Sequence, residues 1–142
     1  MNRIWVLRVT ALITGLFQIM GGLGYLLAPA AVNGIYGLTF SPAGTTYPFL
    51  LIGGRFLALG FGSMLVVRDP WANRGWIQAI IAVQALDGIV TVSGTLAGTM
   101  ALGQGTPAPF MPLLWVVLLL VGYPRGERPA QGATVVSQQH GS

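Results

Sequence analysis

The sequence predicts an all-α integral membrane protein, a four-helix bundle with both termini in the cytoplasm, and three observations predict this class. First, 54% of the 142 residues are hydrophobic and only 7% are charged, whereas a soluble domain carries charge on about 25% of its residues. Second, four apolar segments alternate with short connecting stretches. Third, if the four segments cross a membrane in turn, the arginines that flank them all lie on the same side. Such a composition suits a lipid-facing surface better than a water-facing one.

The four apolar segments define one membrane domain, which we assign to residues 1–123. A bilayer core about 30 Å thick needs about 20 apolar residues in a helix, and three of the segments reach that length. The fourth covers only about 21 Å at 1.5 Å per residue, and Pro112 lies in its first turn, where a helix has no backbone donor to lose. The predicted spans are residues 9–27, 47–67, 76–97 and 110–123.

The arginine positions predict the orientation and favour an even number of spans. The arginines that flank the spans are Arg3, Arg8, Arg68, Arg74, Arg125 and Arg128. The loops at the opposite end, residues 28–46 and 98–109, contain no charged residue. With four spans every flanking arginine lies on the side that the positive-inside rule assigns to the cytoplasm. With three spans the last two would lie outside, so four spans and cytoplasmic termini are the better interpretation.

The connecting segments and the tail contain no candidate functional residue. In the first outer loop, residues 30–36 are compatible with a short helix on the membrane surface, and Ser41-Pro42 follows as a helix breaker. Residues 124–142 form a polar tail rich in Gly, Gln and Ser, which we expect to be a disordered cytoplasmic segment.

Composition removes several classes of function. The chain has no cysteine, and its only histidine is His140 in the tail, so thiolate nucleophiles, thiolate metal sites and histidine-based catalytic or haem sites have no candidate in the spans. The net charge of +4 comes from dispersed arginines rather than from a basic run, which argues against nucleic acid as a partner. We expect no enzymatic activity, no metal site and no resident cofactor.

Two charged residues lie inside the predicted spans. A charge at mid-helix costs about 2.5–3.5 kcal/mol on insertion-based scales, so it must be paired or hydrated. Arg55 is 13 residues from Arg68, and Asp87 is 13 residues from Arg74. Both therefore lie about 20 Å from the cytoplasmic arginines, on consecutive antiparallel helices. This spacing predicts an ion pair between Arg55 and Asp87.

Two glutamines predict a second polar layer next to the ion pair. Gln18 is ten residues from Arg8, and Gln84 is ten residues from Arg74. Gln84 and Asp87 are three residues apart and share a helix face. The favoured interpretation is that these four polar residues fix the helix register inside the bundle. The alternative is a polar pocket at mid-membrane that binds a lipid or a quinone-like molecule.

Small residues recur at four-residue steps on the second and third spans. Such stripes let helix backbones approach closely. The favoured interpretation is packing of these two spans against each other, and the alternative is a surface for self-association. The stripe residues are Gly54, Ala58 and Gly62 on the second span, and Gly94 and Gly98 on the third.

The combined motifs resemble a known group of proteins. The chain carries YLLAPAAVNGIYGL after the first span, GGRFLALGFGSML in the second, VRDP at the following turn and QALDGIV in the third. This pattern is similar to the small bacterial four-helix membrane proteins related to the DoxX-like and BphX-like families, over residues 10–122. The resemblance implies a multi-pass protein of the bacterial cytoplasmic membrane and an accessory role, with Arg55 and Asp87 in the positions of the group's intramembrane Arg and Asp.

Three functional hypotheses follow. The leading one is an accessory or structural subunit that packs against a larger membrane complex or against itself. The second is a binder of a lipid or quinone-like molecule, held by Arg55, Asp87, Gln84 and Gln18. The third, ranked last, is a small dimeric transporter, because a proton relay needs a chain of titratable groups and Asp87 is accompanied only by its arginine. The expected partners are membrane lipids and other membrane proteins.

Overall fold

The computed structural model describes residues 2–35, 46–98 and 110–126, and all five elements in these ranges are α-helices. In chain order the helices are α1 (Arg3–Leu27), α2 (Pro29–Ile35), α3 (Thr46–Arg68), α4 (Arg74–Leu96) and α5 (Met111–Gly122). The predicted disorder of the tail and the predicted loop after α2 lie outside the described residues, apart from residues 124–126.

Three helices are long and apolar enough to cross a membrane by length and composition: α1, α3 and α4. Helix α5 is apolar but has only 12 residues. Many large apolar side chains on the outside of the bundle are exposed, among them Phe17, Met20 and Phe61. An apolar outer surface of this extent is atypical of a water-soluble monomer, and together with the three long helices it indicates a membrane protein.

Helix α1 begins earlier than the predicted span. The Asn2 side chain accepts a hydrogen bond from the Ile4 backbone N–H at 3.1 Å, and this N-cap starts the helix at Arg3 rather than at Val9. The predicted span begins after Arg3 and Arg8, so it leaves out the first turns of the helix, which contain both arginines. Helix α2 lies where a short helix was predicted, and Val32 packs next to Gly24 of α1.

The four longer helices close a ring in the order α1, α3, α4, α5. The most extensive contact joins α1 to α3, and α5 packs between α1 and α4. All four contribute to one apolar core near the α3–α4 turn. The core residues are Leu7, Ala11, Leu59, Val66, Ile77, Ile80 and Leu119.

The α3–α4 turn is held by its own polar side chains. Asp69 Oδ1 accepts from the backbone N–H groups of Trp71 and Ala72 at 3.1 and 3.2 Å. Asn73 Nδ2 donates to the carbonyls of Leu65 and Asp69 at 3.1 and 2.9 Å. These bonds satisfy groups at the end of α3 and the start of α4, so the two helices leave the turn in a fixed antiparallel arrangement.

Candidate functional site

The predicted ion pair is present between α3 and α4. Arg55 Nη2 donates to Asp87 Oδ1 and to Asp87 Oδ2, each at 2.6 Å. Arg55 is the tenth of the 23 residues of α3, and Asp87 is the fourteenth of the 23 residues of α4. Charge-assisted bonds of this length are about twice as strong as neutral ones, so the pair ties the middle of α3 to α4.

The ion pair lies at the bundle surface, which corrects the expectation of a pair inside the bundle. The side chains of Arg55 and Asp87 are 44% and 34% exposed. The register of α3 explains this position. Gly53 faces α1, and a residue two positions along an α-helix is rotated by about 200°. Arg55 therefore lies on the side of α3 away from α1, beside the groove between α3 and α4.

The two glutamines of the predicted second layer are buried but do not bond to each other. Gln18 and Gln84 are each 8% exposed, and within the described part of the chain no hydrogen bond joins their side chains. Gln18 Oε1 is buried without a partner, and so is the Oγ1 of Thr14, one helical turn away on α1. The structure thus divides the four polar residues into a surface ion pair and two separate interior amides.

The small-residue stripe does not pack α3 against α4 as a unit, which corrects the favoured interpretation of the sequence. An added Cβ at Gly54 meets nothing within 4 Å, and Ala58 is exposed. Of the two stripe glycines on α3, Gly62 is the one that contacts α4, where the Trp76 ring covers it. Gly94 is half-buried on α4, and Gly98 lies beyond its end at a φ of 68°. A four-residue step on a helix places residues on one face without indicating which neighbour that face meets.

The close helix contact forms instead between glycines of α1 and α3 that the sequence analysis did not pair. A Cβ added to Gly22 would lie 2.9 Å from the Gly53 carbonyl oxygen, and one added to Gly60 would lie 3.1 Å from the Gly15 carbonyl oxygen. The two glycines on each helix are seven residues apart, so both pairs share one antiparallel register. This matched seven-residue spacing on α1 and α3 was visible in the sequence and could have identified the contact.

Aromatic rings close the far end of the α1–α3 interface. The Tyr25 ring stacks on Phe49 with centroids 5.8 Å apart and meets Phe56 edge-on at 6.0 Å. Tyr25 and Phe49 are buried. With the glycine pairs, these rings fix α1 on one side of α3 along its whole length and leave the other side of α3 to the ion pair.

Electrostatic groups also gather at the α3–α4 turn. The Arg74 guanidinium lies over the Trp71 ring at 4.9 Å and donates to the Gly126 carbonyl, while Gln78 Nε2 donates to Tyr123 Oη at 3.0 Å. These contacts join the start of α4 to the segment after α5. Within the described residues no group of three His, Cys, Asp or Glu side chains comes together as metal ligands would.

Comparison of the chain with protein-family models, with curated proteins and with solved structures finds no match. The resemblance to the DoxX-like and BphX-like group therefore stays a prediction from the quoted motifs. The functional argument depends on the geometry alone.

Proposed function

We propose that the protein is an accessory subunit of a membrane assembly and that it contacts its neighbour through the surface around Arg55 and Asp87. The half-exposed ion pair on the outside of the bundle, near the middle of two span-length helices, carries this proposal. A charge that faces lipid at that depth costs several kcal/mol. A neighbouring transmembrane segment that covers the pair would remove that cost.

The proposal includes the topology. All four helices of the ring cross the bilayer, with both termini in the cytoplasm and the α3–α4 turn on the same side. The one-sided arginines support this orientation. The packing of α5 between α1 and α4 supports it too, because a helix that fills one position of a ring runs alongside its neighbours. A reporter fused after residue 126 would test it, since a periplasmic signal from that reporter would contradict a cytoplasmic C-terminus.

The experiment for the accessory role is gentle extraction from native membranes followed by native mass spectrometry. We expect the 14.9 kDa chain to be found in a larger complex, and we expect R55Q/D87N to release it, because the double variant removes the surface charges without leaving one unpaired. Arg3→Gln is the matched control, since Arg3 is exposed at the start of α1. A wild-type chain found only as a monomer would contradict the role.

A second candidate function is supported by the interior of the bundle. Gln18 Oε1 and Thr14 Oγ1 are buried on one face of α1 without partners, and an unsatisfied buried polar atom costs about 1–3 kcal/mol. A hydroxyl-bearing lipid or a quinol that reached these atoms could donate to Gln18 Oε1 and bond to Thr14 Oγ1, whereas a carbonyl oxygen could only accept from Thr14 Oγ1. Organic extraction of purified protein tests this idea, with Gln18→Leu compared against Gln78→Leu at the turn. Equal ligand content in wild type and Gln18→Leu would exclude it.

A further inference from the structure

The interaction surface can be defined by the residues around the ion pair. On α3 it comprises Gly54, Arg55 and Ala58, and on α4 it comprises Asp87 and Val90. Gly54, Ala58 and Val90 are exposed, and the two charged side chains are partly exposed. We name this surface the α3–α4 groove. It presents two opposite charges between small and apolar neighbours.

Hydrogen-bonding capacity remains unused on both sides of the ion pair. A guanidinium has five N–H donors, and a carboxylate has about four acceptor positions. Arg55 uses only Nη2, and its Nε and Nη1 make no hydrogen bond in the described ranges. Each oxygen of Asp87 accepts from that one nitrogen. The groove therefore offers free N–H donors beside free lone pairs on the same exposed surface.

The partner that fits this pattern is a second copy of the chain. Any partner must supply an acceptor for Arg55 and a donor for Asp87 at the spacing of a salt bridge. A second copy related by a two-fold axis supplies both from the same two residues, as self-complementary interfaces in symmetric dimers do. Gly54 and Ala58 would let the two α3 backbones approach closely at the axis.

We propose that two copies associate through the α3–α4 groove, with Arg55 of each copy donating to Asp87 of the other as well as to its own. The four charges then alternate in sign around the two-fold axis. This inference rests on the proposed function and names the partner. It predicts that association depends on which of the two positions carries the positive charge, and not only on the presence of one charge of each sign.

Cross-linking tests the surface. The natural chain has no cysteine, so Ala58→Cys introduces a single thiol near the axis, and Phe17→Cys, on the exposed face of α1, is the matched control. In native membranes we expect mild oxidation to link Ala58→Cys at twice the mass of the 14.9 kDa chain. We expect Phe17→Cys to stay at the monomer mass. Linking of Phe17→Cys but not Ala58→Cys would overturn the proposal.

Charge exchange tests the pairing. The variant R55E/D87R keeps opposite charges within one copy and also between two identical copies. When it meets a wild-type copy, each copy keeps its internal pair, but like charges face each other across the axis. Coupling between close interfacial charges is large. With Ala58→Cys in both chains and distinct tags, we expect mixed dimers to fall about tenfold or more below either homodimer.

The outcomes separate this inference from the accessory role. Mixed dimers as abundant as homodimers would contradict the pairing of Arg55 with Asp87 of the other copy. An Ala58→Cys adduct of a different mass, or no adduct at all, would overturn the second copy as partner and leave the accessory role intact. A wild-type chain that is also only a monomer in native mass spectrometry would contradict both. If R55E/D87R does not accumulate, R55Q/D87N replaces it, with about a tenfold loss of the cross-linked dimer expected and an unchanged yield counting against the proposal.

Discussion

Helix α3 meets α1 through glycines and meets α4 through an ion pair, and the two contacts differ in what they leave exposed. On the α1 side, Gly53 and Gly60 bring backbone against backbone, and the two helices pack closely. On the α4 side, Arg55 reaches Asp87 at 2.6 Å while both side chains stay partly exposed. The glycine contact is complete within one chain. The charged contact keeps donors and acceptors for a neighbour, which is why we place function there.

The largest effect should come from filling the glycine contact. In Gly60→Leu the first added carbon would lie 2.6 Å from Ile19 Cγ1 and 3.1 Å from the Gly15 carbonyl oxygen, so the helices must separate. Overpacking of this kind costs about 1–3 kcal/mol, occasionally more, and we expect about 3 kcal/mol. The free energy of unfolding in a detergent that keeps the chain monomeric would measure it.

Gly54→Leu is the matched control for this substitution. It lies six residues away on the same helix, where an added Cβ meets nothing within 4 Å, and we expect its cost in the monomer to stay within about 0.5 kcal/mol. Equal losses from the two substitutions would mean that the two sides of α3 do not differ in packing.

The next effect concerns the charged side of α3. Arg55→Gln leaves Asp87 without its partner, and Asp87→Asn leaves Arg55 without its own, so we expect each to cost about 1–3 kcal/mol. The double variant should cost less than the sum, with a coupling of about 0.5–3 kcal/mol. Chemical unfolding of all four chains in the same detergent would give this cycle. Strictly additive losses would show that the pair contributes no stability within one chain.

The smallest effect should come from the aromatic end of the α1–α3 interface. Phe49→Leu removes a ring that stacks on Tyr25 at 5.8 Å, and aromatic pairs contribute about 0.5–1.5 kcal/mol beyond the area they bury. Phe61→Leu on the same helix is the control, because Phe61 is exposed. Thermal unfolding should separate the two variants. A loss at Phe61 as large as that at Phe49 would count against a closed α1 side.

The sequence predicted the positions of the helices and the identity of the ion pair with little error. Apolar length predicted the bounds of helices α3 and α4 to within two residues, and the equal distances of Arg55 and Asp87 from their flanking arginines predicted that the two meet. Both inferences use only distance along a helix axis, which the constant rise per residue supplies. The start of α1 escaped the prediction because an Asn2 cap, and not apolar length, sets it.

Rotation about the helix axis was less predictable. The sequence placed Gly54, Ala58 and Gly62 on one packing face and placed Gln18 and Gln84 next to the ion pair. The structure turns Gly54 and Ala58 outward, and it buries both glutamines while Arg55 and Asp87 stay partly exposed. In lipid both faces of a helix are apolar, so the contrast of polar and apolar residues that marks the core of a soluble helix is weak.

By itself the sequence determined the class of the protein, the positions of its charged residues along the helices and the pairing of Arg55 with Asp87, because composition, length and helical rise are properties of each segment alone. Only the tertiary structure decided which neighbour each face of α3 meets. That choice depends on which surfaces fit most closely, and the register of Gly15 and Gly22 against Gly60 and Gly53 fits α1 to α3. The same register places the ion pair on the surface of the bundle rather than in its interior. This is the surface at which we propose that a second copy binds.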